Sequence, residues 1–150
     1  MDAERLRVFL LTLPHAAETM QWGANLVFWV GDKAIGGKMF ALLNLDEPGD
    51  HGDRKRHPLL SYAAGPAHYA ELVERDGLIP APYFARAHWV AAERWDIFTT
   101  AEWQRELAAA HALTLAKLPK KVLAALALPA TKQKALIVGR RKLLAAKAKK

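Results

Sequence analysis

Two segments with helical periodicity flank a region whose apolar residues have the spacing of strands. From Leu6 onward, apolar residues recur at i, i+3, i+4 and i+7, which predicts a helix over residues 2–13 that ends at a proline. Near the other end of this region, Thr99 is followed three residues later by Glu102, the spacing of a capping box. The pair predicts the start of a second amphipathic helix, over residues 99–118.

The region between these helices predicts an antiparallel sheet. The expected strands are the apolar runs at residues 26–30, 38–45, 59–63 and 88–90, with an additional edge strand at residues 18–22. Gly31-Asp32 is the expected hairpin turn, and Gly65-Pro66 opens one intervening helix that Gly77 would end. The first connections are too short for a helical crossover, so the pairing is antiparallel. The predicted fold class is therefore α+β, an antiparallel sheet with helices 2–13 and 99–118 on one face.

His111 lies on the predicted inward face of the last of these helices. Leu107, Thr114 and Leu118 share that face, since they are spaced by three, four or seven residues. A histidine among such neighbours is typical of a buried, hydrogen-bonded side chain. We predict that His111 is structural and is neither a metal ligand nor a catalytic group.

Charge divides the chain unevenly. Residues 1–116 hold 11 Lys/Arg and all 15 Asp/Glu, whereas residues 117–150 hold 11 Lys/Arg and no acid. We predict an α+β domain over 1–118 and a basic tail over 119–150, either helical or disordered. Such tails are typical of polyanion-binding proteins. A solubilising tail or contact with an anionic membrane surface are the alternatives.

Several function classes lack their characteristic residues. The chain contains no cysteine, no nucleophile-elbow or zinc-protease motif, and no phosphate-binding glycine loop. Asp50, His51, Asp53 and His57 gather four oxygen or nitrogen donors, but the basic run 54–56 among them would repel a cation. Apolar runs fall short of the roughly 20 residues of a membrane helix. We predict a cytoplasmic protein that is not an enzyme and has no metal or cofactor.

The ordered motifs of residues 1–121 resemble the MmcQ/YjbR family. They are Leu13-Pro14, Trp22-Gly23, Val27-Phe28, Lys38-Met39-Phe40-Ala41, Pro80-Ala81-Pro82-Tyr83, His88-Trp89-Val90 and Leu118-Pro119-Lys120-Lys121. The resemblance implies a fold similar to CyaY/frataxin and a DNA-binding-like protein whose sheet region is compared to a double wing. This chain departs from the family pattern in having Trp29 where a lysine is usual, and Ala110-His111 where Ser-Tyr is common.

The leading functional hypothesis is DNA or other nucleic-acid binding through the tail. The expected phosphate contacts are Lys117, Lys120, Lys121, Lys132, Lys134, Arg140, Arg141, Lys142, Lys147, Lys149 and Lys150. Cations that neutralise phosphates carry no base code, so binding would be largely sequence-independent. The hairpin at Gly31-Asp32 and the basic run 54–56 would add contacts as wings do. Trp29, which points away from its two neighbours along the strand, would be available for stacking on the outer face.

Two other hypotheses follow from different residues. One is a small-molecule or protein-binding module with an aromatic pocket near Trp22, Tyr83, His88 and Trp89. The other is an enzyme in which His88 acts with Glu93 or His111 as acid and base.

Overall fold

The computed structural model describes residues 1–45 and 58–148. Its helices and strands follow in chain order: α1 (Ala3–Thr12), β1 (Ala16–Gln21), β2 (Asn25–Val30), β3 (Lys38–Asn44), β4 (Leu60–Ala63), α2 (Pro66–Leu72), β5 (Leu78–Pro80), β6 (Trp89–Ala92), α3 (Thr100–Ala116), α4 (Lys120–Leu126) and α5 (Ala130–Ala148). Three short 3-10 turns, at Lys33–Ile35, Ala85–Ala87 and Trp95–Ile97, complete the connections.

The six strands form one antiparallel sheet in the order β1-β2-β3-β4-β6-β5. Val30 pairs with Lys38, Ala63 with Trp89 and Pro80 with Val90, so β2, β4 and β5 finish at the same end of the sheet. We call this the lower end and the opposite one the upper end. The antiparallel α+β fold predicted from the sequence is confirmed.

Helices α1 and α3 cover one face of the sheet and build the core with it. Asp2 caps α1 by accepting a hydrogen bond from the backbone N–H of Arg5 at 2.8 Å, and Thr99 and Glu102 form the predicted capping box of α3. The largest core side chains with almost no exposed surface are Leu6, Leu10, Phe28, Phe40, Leu43, Leu60, Tyr62, Trp103 and Leu107. Their burial provides the main favourable free energy for the fold.

The predicted boundaries differ from the structure around α2. This helix ends at Leu72, before the expected end at Gly77, and Leu78–Pro80, where no strand was predicted, form the edge strand β5. Gly77 has a φ of +88° and adjoins Ile97, so it makes a close turn into the strand. Because β5 is only three residues long and ends in proline, its own sequence pattern does not identify it.

The first part of the basic tail belongs to the packed structure. Val122 and Leu126 of α4 are buried members of the hydrophobic core. Leu126 lies against Gly31, where its Cδ2 atom would be 3.4 Å from an added Cβ. The predicted division after Leu118 therefore precedes a segment that contributes to the core, and a truncation that tests the tail must begin after α4.

Candidate nucleic-acid interface

Helix α5 packs on the hairpin turn that joins β2 to β3. It contacts the 3-10 turn Lys33–Ile35, and the guanidinium of Arg141 pairs with the carboxylate of Asp32. The other oxygen of that carboxylate accepts a hydrogen bond from the backbone N–H of Ala34 at 2.8 Å. The tail and the hairpin, which the sequence separately predicted to contact DNA, thus lie together at the lower end of the sheet.

The junction between α4 and α5 is held by one side chain. Gln133 Nε2 donates hydrogen bonds to the carbonyl oxygens of Leu126 at 2.9 Å and Leu128 at 2.6 Å. These carbonyls at the end of α4 have no partner within their own helix, and the glutamine supplies one. The contact fixes where α5 begins relative to α4.

All predicted phosphate contacts within the described residues are exposed. They are Lys117, Lys120, Lys121, Lys132, Lys134, Arg140, Arg141, Lys142 and Lys147; Lys149 and Lys150 lie outside the described residues. No side chain of Ala130–Ala148, all of it described, is buried. Even the ion-paired side chain of Arg141 is 64% exposed. These ammonium and guanidinium groups can therefore reach a polyanion without rearrangement of the core.

The two ends of the sheet differ in their balance of charge. Exposed Lys33 and Lys38 lie at the lower end, beside the docked α5. Glu93 and Asp76 flank the strand ends at the upper end, and Glu102 lies in the first turn of α3 near them. Arg94 pairs with Asp76 and Asp96 at the upper end, so cations and carboxylates are mixed there, whereas the lower end gathers the exposed cations that would attract a polyanion.

The aromatic residues of the second hypothesis do not form one pocket. Trp22 lies in the turn after β1, at the upper end and at one edge of the sheet. Tyr83, His88 and Trp89 lie at the lower end next to the other edge. Trp89 is buried against the ring of Phe84, with 5.2 Å between ring centroids. The predicted pocket is wrong because residues distant in the strand order cannot line one cavity.

Trp29 is not the stacking platform expected on the outer face. Its side chain does point away from Phe28 and Val30, but the residue is only 8% exposed. The indole Nε1 donates a hydrogen bond to Thr19 Oγ1 at 2.9 Å, and the Lys33 ammonium lies 5.7 Å from the ring centroid. An indole held in this way offers no free face to a base.

The histidines of the enzyme hypothesis are separated as well. His88 and Glu93 flank β6 at its two ends, about 16 Å apart at the usual rise of a strand. His111 is buried, and its Nε2 donates to the Pro14 carbonyl oxygen at 2.6 Å. The prediction that His111 is buried and hydrogen-bonded is confirmed.

A polar cluster that sequence reasoning missed joins α2, β4 and α3. Tyr62 Oη donates to Glu106 Oε1 at 2.8 Å, and His68 Nε2 donates to Glu106 Oε2 at 2.7 Å. His68 Nδ1 lies 3.8 Å from a carboxylate oxygen of Glu71. His68 Nε2 is therefore bonded to Glu106, whereas Nδ1 lies only within ion-pair distance of the largely exposed Glu71 carboxylate. The cluster escaped detection because its partners are 38 and 44 residues apart along the chain.

Tyr62 makes the stability of the protein depend on pH in the alkaline range. Burial, reinforced by the negative charge of Glu106, raises the pKa of Tyr62 far above its ordinary value. Above about pH 10 the unfolded tyrosine ionises while the folded one keeps its proton, so unfolding releases a proton. We expect the free energy of unfolding to fall in that range by about 1.4 kcal/mol per pH unit from this residue.

Chemical denaturation at several pH values between 8 and 11 measures this dependence. Tyr62→Phe should be less stable at pH 8, by about 1–3 kcal/mol, because it leaves Glu106 with one donor fewer. Its stability should also fall less steeply above pH 10. An equally steep fall in Tyr62→Phe would show that the dependence arises elsewhere.

The structure describes only some of the residues that were considered as metal ligands in the sequence. Within 1–45 and 58–148, no group of three or more histidine and carboxylate residues is arranged to hold a metal ion. Asp50, His51, Asp53, His57 and the basic run 54–56 lie outside the described residues. In the same described ranges, no helix has the length and apolar character needed to cross a membrane.

The arrangement of a six-stranded antiparallel sheet covered by α1 and α3 defines a two-layer α+β protein, and comparisons with known proteins identify its family. The YjbR family model matches residues 11–113, more than half of the sequence. The chain belongs to the YjbR family. The match ends before Lys117, so the cationic residues of the candidate interface lie outside it.

A solved structure shares this fold. It is the crystal structure of the Deinococcus radiodurans protein DR2400, which carries the family-model domain DUF419. The two sequences are 23% identical, the alignment covers 84% of this chain and 88% of that one, and the TM-score is 0.67. At this identity the likeness establishes the fold alone. The comparison with curated proteins gave no match.

Proposed function

We propose that this protein binds nucleic acid, in the first place DNA, through the basic lower end formed by α4, α5 and the hairpin turn at Lys33–Ile35. The observation that carries the proposal is the separation of charge. Residues 117–150 contain 11 Lys/Arg and no acid, and every one of these cations that the structure describes is exposed. A surface of this composition attracts phosphates and releases their counterions on binding.

The form of α5 suits contact with a phosphate backbone. A helix of 19 residues is about 28 Å long. Its cations are distributed around the axis, so they supply charge along a strand without presenting a fixed pattern to base edges. Binding through such contacts is sequence-independent. The acidic upper end would face away from the DNA.

A groove at the upper end favours a second candidate function, the binding of a small molecule. It encloses about 500 Å³ between α1 and the first three strands, and Leu26 and Leu43 form part of its apolar lining. At its rim, a hydrogen bond from Arg7 holds the pKa of Glu18 below its usual value. Its volume is within the range of ligand pockets. Thermal-shift measurements with a set of metabolites and with nucleic acids separate the two functions. A rise in melting temperature with a metabolite alone would favour the groove, and a rise with nucleic acid alone would favour the basic end.

A salt titration tests the DNA proposal directly. If the basic end engages six to eight phosphates, the slope of log K against log salt concentration on duplex DNA should be about −5 to −7. Fluorescence anisotropy with two duplexes of unrelated sequence measures the slope and the sequence dependence together. Equal affinities for the two duplexes are expected. A slope near zero, or no binding at near-physiological salt, would contradict the proposal.

A further inference from the structure

Tyr83 exposes nearly all of its aromatic side chain. The residue is 98% exposed, whereas Trp22, at 60%, is the one other described aromatic residue that is mostly in water. The remaining Trp, Tyr and Phe side chains are buried or half-buried. Core packing therefore accounts for those remaining rings but gives no reason for the exposed rings of Trp22 and Tyr83.

The backbone holds Tyr83 in a fixed and unfavourable conformation. Its φ is +66°, a left-handed value that favours glycine, and Pro82 precedes it. Phe84 N–H donates to the Ala81 carbonyl at 3.2 Å across the turn, and Ala81 N–H donates to the Trp89 carbonyl at 3.1 Å. These are the features of a type II turn, in which glycine is preferred at the position of the tyrosine. Backbone strain of this kind tends to occur at functional sites, and here it coincides with an exposed aromatic ring in a hydrogen-bonded turn.

The turn lies at the same end of the sheet as the cationic helices. Pro80, the last residue of β5, pairs with Val90 at the lower end, and Tyr83 follows three residues later. From β5 to β3, where Lys38 begins the strand, there are three strand spacings, or about 14 Å. Exposed Arg86 follows in the adjoining 3-10 turn. A nucleic-acid strand of several nucleotides can therefore contact the turn and the basic helices together.

We propose that the protein binds single-stranded nucleic acid at this end, with an unpaired base stacked on Tyr83 while the basic helices hold the phosphates. The inference rests on the proposed nucleic-acid function and names its substrate class. Aromatic rings stack on bases of any sequence, which agrees with the absence of a base code among the cations. Bases inside a duplex are already stacked on one another, so the ring adds little to duplex binding.

Substitutions at position 83 separate stacking from folding. Tyr83→Gly removes the ring but suits the left-handed backbone, so its melting temperature should equal or exceed that of the unaltered chain. Its affinity for a single-stranded oligothymidine of 15 nucleotides should fall about 5- to 100-fold, while its affinity for a duplex of equal length should change less than about twofold. Tyr83→Phe keeps a stacking ring and should retain single-strand affinity. Fluorescence anisotropy at one salt concentration measures these affinities for both variants and for the unaltered chain.

Trp22→Gly is the matched control. Trp22 is also exposed and left-handed, with a φ of +49°, but it lies at the acidic upper end. Its substitution should leave both affinities unchanged. An unchanged single-strand affinity in Tyr83→Gly, or an equal loss on single strand and duplex, would overturn the stacking proposal while the salt dependence could still support nucleic-acid binding. Failure of the intact chain to bind either form would reject both proposals.

Discussion

Deletion of residues 129–150 should remove nearly all affinity for duplex DNA while the rest of the chain stays folded. The deletion takes away α5 with eight of the eleven tail cations and leaves Val122 and Leu126 of α4 in the core. The remaining residues 1–128 hold 14 Lys/Arg and 15 Asp/Glu, so the shortened chain has almost no net charge to attract a polyanion. Between 50 and 200 mM salt the intact chain should lose about 10³–10⁴-fold in affinity, and the shortened chain should show little salt-dependent binding to lose.

A second deletion, of residues 119–150, serves as the control for folding. It also removes Val122 and Leu126, both buried in the core. Loss of a large buried aliphatic side chain lowers the free energy of unfolding by about 2–5 kcal/mol. We therefore expect a lower melting temperature for this chain than for the one that ends at Leu128. Circular dichroism with thermal unfolding checks both chains before any affinity is compared.

The double-wing comparison predicts the opposite result for binding. If the body carries the DNA contact, the chain lacking 129–150 keeps most of its affinity, and substitution of Lys33 and Lys38 in the hairpin, or of the basic run 54–56, abolishes it. Retention of full affinity by the shortened chain would refute the tail as the main contact. Charge-removing variants of those two lysines in the intact chain measure the hairpin contribution, which we expect to be the smaller one.

Gly37→Ala should destabilise the protein strongly. A Cβ at position 37 would lie 1.8 Å from the carbonyl oxygen of Gly31, a backbone atom that cannot move without opening the hairpin. That hairpin supports Leu126 and, through Asp32, Arg141, so the strain would reach the packing of α4 and α5. We expect a loss of about 3 kcal/mol or more in the free energy of unfolding, measured by denaturant titration.

Gly139→Ala is the matched control because an added methyl group there meets nothing within 4 Å. Position 139 lies inside α5, where alanine is favoured over glycine by about 1 kcal/mol. We expect equal or greater helix content and unchanged core stability. A Gly37→Ala protein as stable as the Gly139→Ala protein would show that the hairpin relaxes more readily than its backbone contact indicates.

Local sequence signals were sufficient for the main elements of the core. Asp2 and the Thr99–Glu102 pair placed the starts of α1 and α3 within one or two residues, since caps act within a single turn. The strand runs and the burial of His111 followed from periodicity, which depends only on neighbouring residues. The motifs that resemble MmcQ/YjbR are in agreement with the family to which the chain belongs.

The candidate interface depended on contacts between distant parts of the chain. Composition alone identified the basic tail, but the docking of α5 on the hairpin through Arg141 and Asp32 joins residues 109 positions apart. Strand order, likewise, put Trp22 and Tyr83 at opposite edges of the sheet and so removed the predicted aromatic pocket. Caps and periodicity report interactions within a turn or a strand, whereas strand order and helix docking arise from the combined packing of the whole core. The sequence by itself therefore determined most of the elements, the family and the charged tail, and the tertiary structure decided which of their side chains meet.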